Sequence, residues 1–381
     1  MTLMMRSLVL KSVRACNLRC GYCYYINDKT PGYGESFSDD LVDRIYETYA
    51  EHVDWPGESV NLIWHGGEPL LLGRRRLGRF IERQAHYFKY AKVHNRLQTN
   101  GVLIDDAWAD FFRRHDVSVG ISIDGPPDLH DRLRPTVKGK GSWQAVARGI
   151  AILRAHRIPF GVITVADPQL ADRDLWQTII GEQFHYFDLL IPITNNALQA
   201  ECPDQAVDMA AVGRVLTDTF QSWVARDDDS YHIRLFEALL TNAIGGRHNC
   251  SNAGLRDEAL GAYAIVETDG EICFDAEFSE IDRNGLGAEY STGLRVTDPG
   301  FSFDAAFDAI RTRMKAARMD EMPAACADCH VATICRGSHP GSRYGSDGSY
   351  AHRSAYCDAM RPLGEAVAAY MNEHGMADVL V

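Results

Sequence analysis

Cys16-Asn17-Leu18-Arg19-Cys20-Gly21-Tyr22-Cys23-Tyr24 sets three thiols at x3 and x2 spacing directly after the apolar run Leu8–Val13. The run reads as a strand leading into a ligand loop. Thiolates suit iron–sulfur clusters, and a four-iron cluster normally takes four cysteines. Three local ligands leave one iron open, and an open metal position is where a small molecule coordinates and reacts. Three plainly buried cysteines or a zinc site are the rival readings. Structural zinc wants four close ligands, and no fourth cysteine lies nearby.

Outward from this loop, strand-like and helix-like segments alternate. Ser59–Trp64, Val93–Gln98, Val117–Ile123, Pro159–Val165 and Phe187–Ile193 read as strands. Ser38–His52, Leu77–Tyr90, Asp105–His115, Ser142–Ala155 and Leu175–Phe184 read as helices. Alternation of this kind predicts parallel βα units. Polar and glycine-rich turns follow the strand ends, where a parallel barrel builds its active site. The expected fold is α/β: a partial (β/α)6 TIM-like barrel over 1–197, a helical linker over 198–248, a small cysteine-rich α+β domain over 249–361 and a C-terminal helix over 362–381. Gln205–Arg226, Ile233–Ile244, Phe303–Ala317 and Pro362–His374 are the later helices, and Tyr263–Glu267 a later strand.

The 381 residues carry a formal charge of −13 and ten cysteines. Such an acidic chain repels phosphate backbones, so nucleic acid is not an expected partner. Gly73-Arg74-Arg75-Arg76 and Arg113-Arg114 read as solvated helix faces. Neither an apolar signal region nor a membrane-length stretch is present, so no membrane partner and a cytoplasmic location are expected. In a reducing compartment, clustered cysteines read as metal or redox centres.

The cysteine loop resembles the defining loop of radical S-adenosylmethionine (SAM) enzymes. In that family the open iron of a [4Fe–4S] cluster, here on Cys16, Cys20 and Cys23, binds SAM. One electron then cleaves SAM to a 5′-deoxyadenosyl radical that abstracts a substrate hydrogen. The resemblance implies cofactor-binding roles for Tyr22 beside adenine and for Gly66, Gly67 and Glu68 in the Gly-Gly-Glu-Pro turn. It also implies them for Gln98 and Asn100 at one strand end, Ser122 and Asp124 near the ribose, and Arg134 at the methionine carboxylate. A guanidinium grips a carboxylate bidentately. An electron donor such as flavodoxin or ferredoxin is implied as partner.

Cys326-x2-Cys329-x5-Cys335, continuing to Cys357, resembles the SPASM extension of the same family, which carries auxiliary clusters. By that resemblance the four ligate at least one auxiliary [4Fe–4S] cluster; a structural zinc is the alternative. The pattern has a further cysteine where this chain has His339. Cys250, Cys273 and His339 are either a differently ligated second cluster, since histidine can replace cysteine on iron, or buried thiols and an imidazole. Cys202 has no partner in any pattern.

Within the family the motifs look most like those of maturases that crosslink ribosomally made peptides for natural products. The expected activity is radical modification of such a peptide. Radical modification of a nucleoside or sugar in antibiotic biosynthesis is the alternative, with sulfur insertion from an auxiliary cluster motivated by His339. A non-catalytic iron–sulfur carrier or zinc scaffold is the alternative of another class. Against a peptide, the loop begins by residue 16, leaving no separate leader-gripping domain, and Thr194-Asn195-Asn196 replaces the usual aromatic, proline-rich stretch. Asp275, two residues after Cys273, stands near where a related sulfatase-maturing group has a catalytic aspartate, and is the candidate base.

Overall fold

The computed structural model describes residues 6–26, 30–171, 174–248, 250–254 and 263–376. The first five residues, part of the N-terminal reading, lie outside them. Six parallel strands form the expected half-barrel: β1 (Ser7–Val13), β2 (Ser59–Gly66), β3 (Lys92–Thr99), β4 (Val117–Ser122), β5 (Phe160–Val165) and β6 (Tyr186–Leu190). Helices α1 (Asp39–Val53), α2 (Arg74–Tyr87), α3 (Asp106–Arg114), α4 (Pro127–Leu133), α5 (Trp143–Ala155) and α6 (Leu175–Gly181) connect them.

Local chemistry sets the helix starts. Ser38 caps α1, its hydroxyl accepting from Leu41 N at 3.0 Å, and Asp105 caps α3 by accepting from Trp108 N at 2.8 Å. Each cap satisfies an amide that the first helical turn leaves without a partner. The turn Pro126-Pro127 starts α4, a helix the sequence pattern did not predict, because its seven residues are too short to show a period.

Period-2 alternation sorts the strands into two faces. Leu8, Leu10, Leu62, Trp64, Leu97 and Ile121 are buried under the helices. Trp64 stacks on Phe80 of α2 at 6.1 Å, and its indole donates to Asn95 Oδ1 at 2.9 Å. Gln84 and Asn95 exchange two amide hydrogen bonds of 2.8 Å, so this buried polar pair is satisfied. The opposite face carries Lys11, His65, Gln98 and Ser122 towards the C-terminal ends of their strands.

The sheet extends beyond the six expected strands. A short β7 (His232–Ile233), inside the segment expected to be a helical linker, pairs with β6. On the other edge β8 (Tyr263–Val266) runs parallel to β1, with Ser7 opposite Tyr263. β9 (Glu271–Cys273) and β10 (Ser291–Arg295) follow antiparallel, giving one ten-stranded sheet. The cysteine-rich region therefore adds strands to the sheet, and its helix over Phe303–Ala316 packs on α1, with Phe303 against Tyr49. The remaining helices are α7 (Asn196–Glu201), α8 (Met209–Arg226), α9 (Arg234–Ala243), α10 (Ser279–Arg283), α11 (Phe303–Ala316), α12 (Ala332–Cys335) and α13 (Cys357–Glu373). α13 starts at Cys357, five residues before the expected Pro362, and packs along α8. No helix of the described residues is long and apolar enough to cross a membrane.

β1 lies between β2 and β8, so its apolar face holds both halves of the sheet. Leu10→Ala, at a side chain 1% exposed, is expected to cost about 2–5 kcal/mol, read as a lowered urea midpoint with an unchanged slope.

Candidate active site

The thiol loop is fixed by backbone contact. Gly67 N donates to Val13 O at 2.8 Å and Glu68 N to Ala15 O at 2.9 Å. A Cβ on Gly67 would stand 2.1 Å from Ala15 O, and one on Gly66, whose φ is +128°, 2.4 Å from Val13 O. Only glycine allows this approach. The turn after β2 thus lies against the segment that ends in Cys16, as the barrel reading requires.

The buried Glu68 carboxylate accepts from Leu70 N at 3.0 Å, Thr99 Oγ1 at 2.7 Å and Asn100 N at 2.8 Å. Burial raises its pKa against these donors and Arg134. Asn100 Nδ2 donates to Asn17 Oδ1 at 2.7 Å and lies 3.8 Å from Cys16 Sγ, tying the β3 end to the thiol loop. Gln98 Nε2 donates to Ser122 Oγ at 2.9 Å across β3 and β4.

Tyr22, Asp124 and Arg134 form a second group. The Tyr22 hydroxyl donates to Asp124 Oδ2, and Arg134 Nη1 lies 2.5 Å from the Tyr22 oxygen and 3.4 Å from Asp124 Oδ2. Arg134 is 8% exposed, and its Nε has no partner. A buried donor without an acceptor is costly, and a ligand carboxylate would satisfy it. Burial opposes charge on Arg134, but Tyr22, Cys20 and Asp124 hold its pKa well above the usual value.

Cys16, Cys20 and Cys23 lie within electrostatic reach of one another. Burial pushes the Cys16 thiol up to about 12, so ionising it needs a compensating cation, which iron supplies. Burial raises the pKa values of Cys326, Cys335 and Cys357, and neighbouring thiols, Cys329 among them, raise them further. Arg343, 3% exposed with an unpartnered Nε, stands in the field of Cys326 and Cys335. A cation beside four thiolates fits an anionic metal centre. Among the described residues no three His, Cys, Asp or Glu side chains converge as around a single ion; a cubane places each thiolate on its own iron.

His339 is not brought to the remaining cysteines. Its Nε2 lies 3.1 Å from Asp275 Oδ2 and its Nδ1 3.0 Å from Glu277 Oε2. Both nitrogens lie beside carboxylates, and Gly341 N donates to Nδ1 at 3.0 Å. This geometry favours the reading of His339 as a buried imidazole over that of a cluster ligand with Cys250 and Cys273. Cys250 is buried in the field of Arg234 and Asp188, Cys273 in that of Glu267, Glu271 and Asp269; burial raises both thiols, Cys250 to about 11.

Asp275 caps the turn after β9, its Oδ1 accepting from Glu277 N at 3.2 Å, while Oδ2 accepts from the Tyr263 hydroxyl and from His339. Burial opposes its ionisation, and the His339 charge with its hydrogen bond prevails and lowers the pKa. Asp275 acts electrostatically on Lys11 and Tyr24, as Cys23 does. Asp275 therefore lies within electrostatic range of Lys11 and Tyr24, at the end of β9 that the register sets level with the N-terminal half of β1.

Several residues here escaped the sequence reading. Lys11, fully buried in β1, donates to Tyr24 Oη at 2.6 Å; burial brings its pKa down to about 8 against the pull of Glu267. Glu267 accepts from Arg14 at 3.0 Å, Tyr25 at 3.0 Å and Tyr290 at 2.7 Å. Burial and Lys11 lower His65 to about 3, so that ring is neutral. A lysine inside an apolar strand was the available signal.

Residues 10–179 match the model of the Radical SAM superfamily. That segment, carrying the half-barrel and the thiol loop, is similar to the SAM-cleaving part of radical SAM enzymes, which supports an enzyme over a passive carrier or zinc scaffold. The chain is 26% identical over 353 residues to a serine-type anaerobic sulfatase-maturating enzyme of Bacteroides thetaiotaomicron, covering 86% of this chain and 81% of that one. It is 23% identical over 369 residues to a cysteine-type enzyme of Clostridium perfringens, covering 94% and 95%. In fold it matches native anSMEcpe with bound AdoMet at a TM-score of 0.82 and 21% identity over 98% and 99% of the two chains. It matches Streptococcus suis SuiB bound to precursor peptide SuiA at 0.60 and 13%, over 93% and 76%. The expected place among crosslink-forming peptide maturases is thereby overturned: the similarity runs to the sulfatase-maturating enzymes.

Two predictions follow from this geometry. Gly67→Ala pushes Ala15 away from the turn and is expected to cut reductive 5′-deoxyadenosine formation at least about tenfold, a barrier change of about 1.4 kcal/mol. Burial depresses the His339 ring, but Glu277 and Asp275 hold it at about 10. Its stabilising contribution is whole below the unfolded value of about 6.5 and disappears as pH rises through the folded one. Thermal melts should show wild type losing stability between those limits that His339→Gln does not lose.

Proposed function

We propose that this enzyme oxidises a serine or cysteine side chain of a polypeptide substrate, with Asp275 as the base. The observation that carries the proposal is the Asp275 carboxylate, held by Tyr263, His339 and Glu277 N, within electrostatic reach of Lys11 and Tyr24. The likeness over nearly the whole chain to serine-type and cysteine-type sulfatase-maturating enzymes supports it.

When bound on the Cys16, Cys20 and Cys23 cluster, SAM supplies the radical that takes one hydrogen atom from the substrate carbon. Taking the side chain to the aldehyde or thioaldehyde level then needs one proton and one electron removed. Asp275 accepts the hydroxyl or thiol proton. The four C-terminal thiolates, with Arg343 and Arg353 beside them, would hold a [4Fe–4S] centre, which would supply the electron acceptor. Arg134, with its free Nε, would bind the methionine carboxylate. Asp124 and Ser122 would serve the ribose, Tyr22 the adenine, and Gly66, Gly67 and Glu68 the methionine amine, with Gln98 and Asn100 lining the pocket. The boundaries near residues 197, 248 and 361 would mark off the half-barrel, the connecting helices and the cysteine-rich region, whose strands extend the same sheet. A reduced flavodoxin or ferredoxin in the cytoplasm supplies the first electron.

Anaerobically reconstituted enzyme, SAM and dithionite should convert short sulfatase-type peptides containing a central serine or cysteine. The serine product lacks two hydrogen atoms by mass, and the cysteine product traps with a hydrazine. Cys16→Ala should abolish both 5′-deoxyadenosine and product. Asp275→Asn should keep hydrogen abstraction and lose at least about a hundredfold in oxidised product, the usual worth of a general base. Release of 5′-deoxyadenosine with neither peptide altered would reject the proposal.

A further inference from the structure

The base proposed above does not stand alone. His339 is 2% exposed and bridges Asp275 and Glu277, with nitrogen–oxygen distances of 3.1 and 3.0 Å. Glu277 is held in turn. The Tyr356 hydroxyl donates to its Oε2 at 3.1 Å, and Asn252, with its amide oriented to donate, reaches Oε1 at 2.7 Å. The Phe278 ring packs edge-on against the imidazole at 5.5 Å.

One contact argues the other way. Gly341 N lies 3.0 Å from His339 Nδ1, and an amide donor there favours a bare nitrogen. At Nδ1 the Glu277 carboxylate, at the same distance, outweighs the single amide dipole, because charge-assisted hydrogen bonds are about twice as strong as neutral ones. On that balance the ring would carry both protons, donating from Nε2 to Asp275 and turning Nδ1 to Glu277. A cysteine at 339 could not make this bridge, since a thiol offers one weak donor.

We propose that His339 is a positioning residue for Asp275: anchored by Glu277, the imidazolium fixes the orientation of the Asp275 carboxylate and keeps it anionic for the substrate proton. This rests on the reading of Asp275 as the base. The groups facing the pair are Tyr263 and Lys11 on the Asp275 side and Glu277 and Tyr356 on the other. In the step itself the substrate O–H or S–H bond breaks, its proton passes to Asp275, and His339 keeps both of its own. The hydrogen atom goes to the SAM-derived radical and the electron to the C-terminal iron–sulfur centre.

The test uses reconstituted full-length enzyme and the serine and cysteine peptides with deuterium on the side-chain carbon. For His339→Gln and Glu277→Gln, deuterium entering 5′-deoxyadenosine should stay within about threefold of wild type. Oxidised peptide should fall at least about tenfold, a part of what a general base contributes, with KM unchanged. A merely structural role predicts that both quantities fall together, and that result, or no fall in either variant, overturns the proposal. If wild type moves no deuterium from either peptide, the reading of function fails and the clamp is judged by itself. Nitrogen NMR of labelled histidine in the oxidised holoenzyme at pH 8 should then show His339 protonated at both nitrogens, and neutral in Glu277→Gln. A neutral ring in wild type would reject the imidazolium clamp.

Discussion

The active site depends on two peptide segments meeting more closely than side chains permit. The Val13–Ala15 backbone and the Gly66-Gly67 turn are joined by two amide hydrogen bonds, with no room for a Cβ at either glycine. This contact determines where the thiol loop leaves the sheet. It also places Glu68 where its carboxylate can take the Asn100 amide, so that the ends of β1, β2 and β3 become one rigid rim. Asn100 then reaches back to Asn17. The cysteines lie on a loop, yet their positions are set by strands.

That arrangement explains what the sequence made legible. Cys16, Cys20 and Cys23 sit after a strand with period-2 burial, and the motif-bearing turns follow strands, so each was readable from local pattern. Contacts across long stretches of chain were not. β8 pairs with β1 more than two hundred and fifty residues upstream, and no local feature of Tyr263–Val266 chooses that partner. The same holds for α4, too short for a period. Lys11 was readable in principle: a lysine alternating with Leu8 and Leu10 must face the other side of the sheet, and near the C-terminal end of β1 that side is the pocket.

His339 is the instructive case. Its place in the cysteine pattern suggested either a metal ligand or a plain imidazole, and imidazole is chemically suited to both. The fold instead brings it beside residues 275 and 277, two acids on the turn after β9. A histidine between two buried carboxylates gains more as a cation than as a neutral ligand, because each carboxylate would otherwise be an uncompensated buried charge. The residue type was compatible with both fates; tertiary neighbours decided.

This has a consequence for the economy of charge around the pocket. Asp275, Glu277 and Glu267 put three acids near a thiol loop that becomes more negative when its cysteines ionise. Lys11, Arg14 and His339 supply cations in the same region. Arg14 is spent on Glu267, and Lys11 is directed at Tyr24 and His65, which is neutral. Of these three cationic side chains, His339 is the one within hydrogen-bond distance of Asp275, and its second nitrogen faces Glu277. An imidazolium there could neither rotate away nor pass to another acid without leaving Glu277 buried and uncompensated. A carboxylate held this way would keep a constant geometry, with its strength set by a partner on its far side.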